Sequence, residues 1–499
     1  MKNNINTSVV VNIIRTITMT ILSLVTFPYV CRILGDAQMG VYSWVSAFIY
    51  YFFILARISI PNIAVRECVK VKNDPEKLSM KIQELFIIQA VMTLISFGLM
   101  SALVFSLPSF TSSTDYQSLA FILSLNFLVG VMSFEWVFTA FEKHIYMSVR
   151  SIIVYALSDI LIFVFVKNPG HIYLYAFISI LGTVLIVISN LCYLPALTRF
   201  KKVGKYNFKQ YLPILSMLFL ISIVVAIYDK TDTFILGLID ESKRSVGSYS
   251  VGMKGVEIII GIITSLSIVF IPRATYYYQK NDEKQFANLN KYSFNIALFI
   301  VLPAIAMMTT LATPITSLFS GNTPDQYINA NVILMVLSSL MLTYSLSFVI
   351  YTQILIPQKK EKYYLFSMLG GALLNIGLSL LFGLVIFKDN PAIGVSVATS
   401  ISDLIVLVTL FALTWKDSKA LLLNLNNLKL LIISGLIAVV TYFLGDVIFK
   451  TLLNANNSLE LSYIFEILIM LSIDIIIYLL LLFISKEKLF KSMLSRYKK

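Results

Sequence analysis

Four cations and several carboxylates sit inside stretches otherwise fit for a hydrocarbon interior. Arg15 and Arg57 interrupt apolar runs near the N-terminus, and Lys230 and Lys254 interrupt a second pair near the middle of the chain. Asp229, Asp232 and Glu257 accompany the lysines, while Glu135, Asp159, Asp403 and Asp474 stand singly in other apolar runs. An ionised side chain at the centre of a membrane helix costs about 2.5–3.5 kcal/mol on insertion scales, so such groups face a bundle interior or a wet cavity. Asp229 and Asp232 are three residues apart, as are Lys254 and Glu257, so each pair shares a helix face. Acid–lysine pairing across the link Asp240–Val246 is feasible, and these four charges read equally as structural ion pairs or as cavity groups. Arg15 and Arg57 have no acid within a turn. A guanidinium binds phosphate bidentately, which points to a phosphate-facing role. The alternative is pairing with Glu135, with carbonyls, or with lipid headgroups by snorkelling. Each lone mid-span acid is either a helix–helix hydrogen-bonding group or a proton or sodium site.

The elements that must position these charges are membrane helices. The 499 residues are 58% hydrophobic and 13% charged, with mean hydropathy +0.84. A soluble domain is about 45–50% apolar and about 25% charged. The three cysteines, Cys31, Cys68 and Cys192, are scattered and form no CxxC, so no disulfide framework or thiolate metal site is indicated. The N-terminal apolar run lacks a small-residue cleavage site and reads as a first spanning helix rather than a signal peptide. Runs of about 20 apolar residues, the length needed to cross a ~30 Å core, number fourteen, from 9–30, 41–64, 83–107 and 117–141 through 212–238 and 247–272 to 462–484. With the N-terminus inside, 29 of the 39 Lys and Arg fall on the cytoplasmic side, Arg150 among them. Six fall outside, Lys243 among them, and the remaining four are the buried cations. That bias predicts both termini in the cytoplasm, and it accounts for the +13 net charge without nucleic acid. At 1.5 Å per residue Arg15 and Arg57 lie roughly 9–11 Å from the inner ends of their helices, and Lys230 and Lys254 roughly 11–12 Å from the outer ends. Tyr276-Tyr-Tyr278 reads as an interfacial belt, and Tyr50-Tyr-Phe-Phe53 as packing or lipid-facing surface.

The chain repeats itself. Arg32-Ile-Leu-Gly35, Gly40-Val-Tyr-Ser43, Ile60-Pro61 and Glu142-Lys143 recur in order as Phe234-Ile-Leu-Gly237, Gly247-Ser-Tyr-Ser250, Ile271-Pro272 and Glu361-Lys362, at offsets of 202, 207, 211 and 219. Six helices separate equivalent points, so the repeats share one orientation. The expected fold is all-α and integral to the membrane, with two six-helix lobes around a central cavity and two further C-terminal helices. The expected boundaries are 1–197 for the first lobe, 198–211 for a basic cytoplasmic linker, 212–415 for the second lobe, and 416–499 for the last two helices and a basic tail.

Phe27–Trp44 (FPYVCRILGDAQMGVYSW) with Ile60–Cys68 (IPNIAVREC), and Tyr228–Arg273 (YDKTDTFILG…VGSYSVGMKGVE…FIPR), resemble the openings of the two lobes of Wzx-type polysaccharide repeat-unit flippases. The six-plus-six-plus-two layout is similar to the multidrug/oligosaccharidyl-lipid/polysaccharide exporter superfamily. The resemblance covers about the first 415 residues; the last two helices match only as apolar spans. It implies a bacterial cytoplasmic-membrane protein whose cavity opens alternately to each side. The implied cargo is an undecaprenyl-pyrophosphate-linked oligosaccharide moved outward for capsule, exopolysaccharide or O-antigen assembly. Polysaccharide polymerase and chain-length machinery would be its partners. Arg15, Arg57, Lys230 and Lys254 would line the cationic cavity. Asp229, Asp232 and Glu257 would release cations or bind a coupling proton or sodium ion, and no cofactor is implied.

Two relatives within that superfamily stay open, a drug or cation antiporter and a peptidoglycan-precursor flippase. The first wants an acidic or aromatic cavity, whereas the unpaired buried charges here are basic. A membrane glycosyltransferase or polymerase generally carries a large outer loop with catalytic acids. The outer loops here are short and hold only scattered acids such as Asp36, Asp115 and Asp325.

Overall fold

A computed structural model shows an all-helical chain, with no strand among the described residues, which are 2–198, 205–321, 325–422, 425–456, 458–485, 487 and 490. The chain forms two compact units, Met1–Phe234 and Ile235–Lys499. The first holds α1 (Lys2–Arg57), α2 (Ile60–Lys70), α3 (Pro75–Ser106), α4 (Pro108–Thr111), α5 (Thr114–Gly130), α6 (Glu135–Ala140), α7 (His144–Phe165), α8 (Ile172–Tyr193) and most of α9 (Leu212–Ile239). The division between the units thus falls within α9, near its C-terminal end.

Thirteen helices among the described residues are long and apolar enough to cross a bilayer, one fewer than the fourteen spans expected. The difference lies at Ile14–Arg57, whose 44 residues are unbroken by any loop. At 1.5 Å per residue this stretch is about twice as long as a ~30 Å core requires. Two helices meet in α1 at Gly35, whose φ of 74° and ψ of 172° suit only a residue without Cβ. Contacts along the two arms run in opposite order. In the first arm Arg15 lies near Tyr155, in the middle of α7, and Tyr29 Oη donates to Val166 O at its end, 2.8 Å away. In the second arm Trp44 stacks on Phe110 of α4, and Arg57 comes last, beside Glu135. The two arms hold the first two expected spans, joined by one glycine rather than by a loop.

Two of the expected spans, the second and the fourth, are interrupted. The stretch 41–64 does not continue past Arg57: Ile58 and Ser59 have φ of 38° and 55°, and a new helix, α2, starts at Ile60-Pro61. The stretch 117–141 breaks at the 3₁₀ turn Val131–Ser133 and at Phe134, with φ of 47°, before α6 begins at Glu135. Non-glycine residues in this region cost of order 1–3 kcal/mol each. They are held here by packing. Ile60, Ile63, Phe134, Trp136, Val137 and Phe138 belong to one buried cluster that also takes in Leu85 and Tyr211, so α2 and α6 are clamped together. Ser59 Oγ further bonds Ser222 Oγ (2.8 Å) and Leu218 O (3.2 Å) on α9.

The second unit holds α10 (Arg244–Gln279), α11 (Glu283–Thr310), α12 (Ala312–Ser320), α13 (Ala330–Leu337), α14 (Ser339–Ile350), α15 (Glu361–Leu381), α16 (Pro391–Leu413), α17 (Trp415–Leu422), α18 (Leu425–Asn456) and α19 (Leu459–Ile484). Gly252 lets α10 approach α13, since a methyl there would lie 2.7 Å from Ile333 Cγ2 and 3.1 Å from Leu334 N. The last two long helices pair with each other and pack on α11, where Tyr478 Oη donates to Phe299 O at 2.7 Å.

Candidate functional site

The two helix breaks flank a polar cavity of about 340 Å³ inside the first unit. Interrupted helices are tolerated at membrane depth where the irregular backbone lines a cavity or is buried in protein, and Arg57, Pro61, Val131, Ser133 and Glu135 around the breaks all line this one. Arg15 reaches it from the first arm of α1. The two arginines singled out by their apolar surroundings therefore share one cavity.

Their partners differ from those the sequence offered. Arg57 sits at the C-terminal end of α1, with its guanidinium carbon 5.2 Å from the Phe53 ring centroid. Arg15 Nε is buried and has no hydrogen-bond partner in the protein. Glu135 lies within electrostatic range of Arg57, but its ion pair is with Arg150, Nη2 to Oε1 at 2.7 Å. Arg150 reads in the sequence as a cytoplasmic loop cation, yet it lies within α7 with only 5% of its side chain exposed. Its Nη1 donates to Asn190 Oδ1 on α8, and Asn190 Nδ2 donates to Ser133 O at the break. Arg150 thus holds the start of α6 in place and neutralises the one acid that lines the cavity among the described residues, leaving Arg15 and Arg57 as its net charge. A hint existed in the sequence: Arg150 is flanked by Ser148, Ser151, Ile152 and Ile153, a poor setting for a loop.

The aromatic run Tyr50–Phe53 is not simply packing or lipid-facing. Phe53 lies under Arg57, Tyr50 lies 5.8 Å from Lys230 Nζ, and Tyr51 Oη contacts Thr231 Oγ1 at 3.2 Å. Tyr50 is within electrostatic range of both Asp229 and Arg57, so the charged stretch of α9 and the cavity meet across this residue. Asp232 is buried on the same helix. Lys254 and Glu257 lie on α10 in the second unit, the lysine half-buried and the glutamate exposed. The remaining acids are separate from the cavity lining. Asp159 sits beside Thr26. Asp403 accepts from Thr343 Oγ1, and Thr441 Oγ1 lies 2.9 and 2.8 Å from the two carboxylate oxygens of Asp474. Lys243, which reads as an outer-loop cation, is buried and donates to the Gly237 and Asp240 carbonyls.

A second polar knot in the first unit ties down the chain that leads into α9. Glu84, fully buried on α3, accepts from Asn207 N (2.6 Å), Tyr211 Oη (2.7 Å) and Gln210 Nε2 (3.2 Å), with Lys81 Nζ 3.8 Å away. Burial, then the bond to Glu84, push the Tyr211 hydroxyl well above its ordinary value. Hydropathy alone gave no reason to single out Glu84.

An all-helical, multi-span protein with a cationic cavity among its spanning helices is a membrane transporter by class. The chain resembles the lipid II flippase MurJ in an inward closed conformation, with a TM-score of 0.63, 19% identity, and coverage of 94% of this chain and 98% of that one. It likewise resembles an inward-facing multidrug resistance MATE family transporter of the MOP superfamily, at a TM-score of 0.61, 13% identity, and coverage of 81% and 95%. The "Putative O-antigen transporter" of Escherichia coli (strain K12) is 22% identical over 381 residues, 74% of this chain and 88% of that protein. The polysaccharide biosynthesis protein family matches residues 6–278 and the MatE family residues 218–381. The chain belongs to the polysaccharide biosynthesis protein family, within the superfamily that includes the Wzx-type flippases. Its relatives and fold neighbours are transporters and flippases, not enzymes, and it is a transporter like them.

Proposed function

We propose that this protein is a flippase that carries undecaprenyl-pyrophosphate-linked oligosaccharide repeat units from the inner to the outer leaflet of the bacterial cytoplasmic membrane, with both termini cytoplasmic. The observation that carries the reading is the pair Arg15 and Arg57 in one cavity whose only lining acid, among the described residues, is already paired with Arg150. A diphosphate cannot cross ~30 Å of hydrocarbon unless its charge is met by paired groups along the way. Two guanidiniums meet that need with planar, bidentate donors. On this reading the cavity opens alternately to the two sides. Lys230 and Lys254 take the diphosphate onward, while Asp229, Asp232 and Glu257 release it or bind a coupling proton or sodium ion. The polyprenyl tail stays in lipid. The cargo serves assembly of a surface polysaccharide such as O-antigen, capsule or exopolysaccharide, in company with polymerase and chain-length machinery.

The test is outward transfer of a lipid-diphosphate-linked oligosaccharide in proteoliposomes. Wild type should deliver an outer-leaflet signal, and Arg15→Ala and Arg57→Ala, folded by size-exclusion profile, should each lose it. Retained transfer in both variants would remove the arginines from the route. No wild-type transfer with any lipid-linked sugar, together with uptake or efflux of an organic cation, would make the protein a drug antiporter.

A further inference from the structure

The cavity has a second wall that the arginines do not account for. Gln89 and Thr93 face it from one turn of α3, and Asn126 and Thr183 face it from α5 and α8. None of the four is charged. Gln89 is 94% buried, and its Oε1 has no hydrogen-bond partner in the protein. A buried amide left unsatisfied is costly, so its persistence beside a cavity needs a reason. The last torsion of a glutamine side chain is broad, so the amide can present either its oxygen or its NH2 to a ligand. Thr183 Oγ1 donates to Asn126 Oδ1 at 3.2 Å, which leaves the Asn126 NH2 to donate elsewhere. Thr93 Oγ1 donates to the Gln89 carbonyl at 2.8 Å and retains its lone pairs. Tyr155 and Phe53 line the same cavity, Phe53 with its ring centroid 5.2 Å from the Arg57 guanidinium carbon.

We infer that the wall formed by Gln89, Thr93, Asn126 and Thr183 is a sugar subsite, which binds the hydroxyls of the pyranose ring joined to the diphosphate while Arg15 and Arg57 hold the diphosphate itself. The inference rests on the diphosphate reading above and adds to it the part of the cargo that is recognised. Amides and hydroxyls are the groups that exchange hydrogen bonds with a polyhydroxylated ring without adding charge. The volume supports a limited reading. At about 340 Å³ the cavity lies at the small end of the ~300–1,000 Å³ range of ligand pockets. It therefore reads the ring next to the diphosphate, and the rest of the oligosaccharide lies outside this subsite. A site that hydrogen-bonds hydroxyls discriminates against ligands that lack them, because its own polar groups are then left unpaired.

The experiment measures binding to the full-length protein in lipid nanodiscs. The probes are undecaprenyl diphosphate, the same lipid carrying one galactose, and the same lipid carrying one N-acetylglucosamine. Wild type should bind at least one sugar-bearing probe about threefold to tenfold more tightly than the bare diphosphate, the gain from one or two neutral hydrogen bonds. Gln89→Met and Asn126→Leu should each erase that preference and leave affinity for the bare diphosphate within about twofold of wild type, the scatter expected when no hydrogen bond to the probe is lost. Equal wild-type affinity for all three probes would overturn the subsite while leaving the arginine site standing. So would a loss in either variant that is the same for bare and sugar-bearing probes, since the residue would then be packing only. If Gln89→Met does not fold, Asn126→Leu carries the test from a different helix, where the side chain is exposed. Failure of the underlying reading has its own signature: no binding of bare diphosphate by wild type, or binding that Arg57→Ala leaves intact.

Discussion

Replacing Arg150 by methionine should destabilise the first unit by about 3 kcal/mol, a figure built from the bonds it makes. Breaking a buried ion pair costs about 3–5 kcal/mol when the surviving charge is stranded. Here the survivor, Glu135, has 42% of its side chain exposed while Arg150 has only 5%. Water in the cavity can therefore reach the carboxylate, which places the loss from the pair at about 1.5–3 kcal/mol, the value of a hydrogen bond to a charged group. Asn190 Oδ1 also loses its donor, adding about 1 kcal/mol. The cation's position 5.6 Å from the Tyr146 ring centroid adds a few tenths more. Methionine returns part of this by filling the same volume with apolar atoms. Reversible unfolding in mixed detergent micelles, with Glu135→Gln and the double variant completing a cycle, isolates the pair. The double variant should cost less than the two singles together by about 1–2 kcal/mol, because the second substitution has no pair left to break. A single-variant loss below about 0.5 kcal/mol with no coupling would show that Arg150 is a spectator. The restraint on Ser133 through Asn190 would then have to come from packing alone.

Two further outcomes concern the Glu84 knot and the hairpin link. Glu84→Leu strips acceptors from Asn207 N, Tyr211 Oη and Gln210 Nε2 together, so residues 205–211 should exchange amide hydrogens markedly faster, while Gln83→Ala, which takes the acceptor from Tyr206 Oη and the donor from Ser79 Oγ but touches no backbone N–H of the segment, should change exchange little. Unchanged exchange at Asn207 in Glu84→Leu would mean the segment is held by something other than that carboxylate. Burial raises the Asp240 carboxyl, but bonds from the Ser242 hydroxyl and the Ser245 and Ser242 N–H groups outweigh it and hold the folded-state value below the ordinary one. A depressed folded value means its stabilisation is complete above the unfolded pKa of about 3.9 and is lost as pH falls through the folded value. Thermal stability of wild type and Asp240→Ala should therefore differ by a constant amount at pH 5 and above and converge below about pH 4. A gap that widens toward acid would reverse the sign of this argument.

Much of the architecture could be read without coordinates because the bilayer limits what a chain can do. A hydrocarbon core demands about 20 apolar residues per crossing, and charges within such runs stand out by their cost. Arg15, Arg57 and Glu135 are visible in the sequence for that reason, and the family resemblance rests on residues around the same helices. Partnership is another matter. Glu135 is near both Arg57 and Arg150, and only the packing of α7 and α8 shows that Arg150 takes it, with Asn190 completing the link. Arg150 reads in the sequence as an orientation signal because it is a cation a few residues inside a helix, next to a basic link. Gln89, Asn126 and Thr183 have no hydropathy signature at all. They become a wall because three helices converge.

The breaks show the same division. The composition of 41–64 and 117–141 is that of continuous spans, and hydropathy averages over backbone angles. Only the packing of α2 against α6 shows the chain leaving helical geometry at Ile58–Ser59 and again at Val131–Phe134. At Gly35 the reverse holds: the residue type permits the unusual angles, but the turn is made there because the two arms of α1 find their partners on either side of it. What the sequence determined alone is what depends on composition and period: a membrane protein, its helices, its orientation bias, its repeat and the cations that interrupt its apolar runs; it did not show that Arg57 is exposed and that Arg15, Lys230 and Lys254 are only half-buried. What the tertiary structure decided is which of those charges face each other and which face a cavity, since that depends on distances between side chains on different helices, which spacing along the chain does not set.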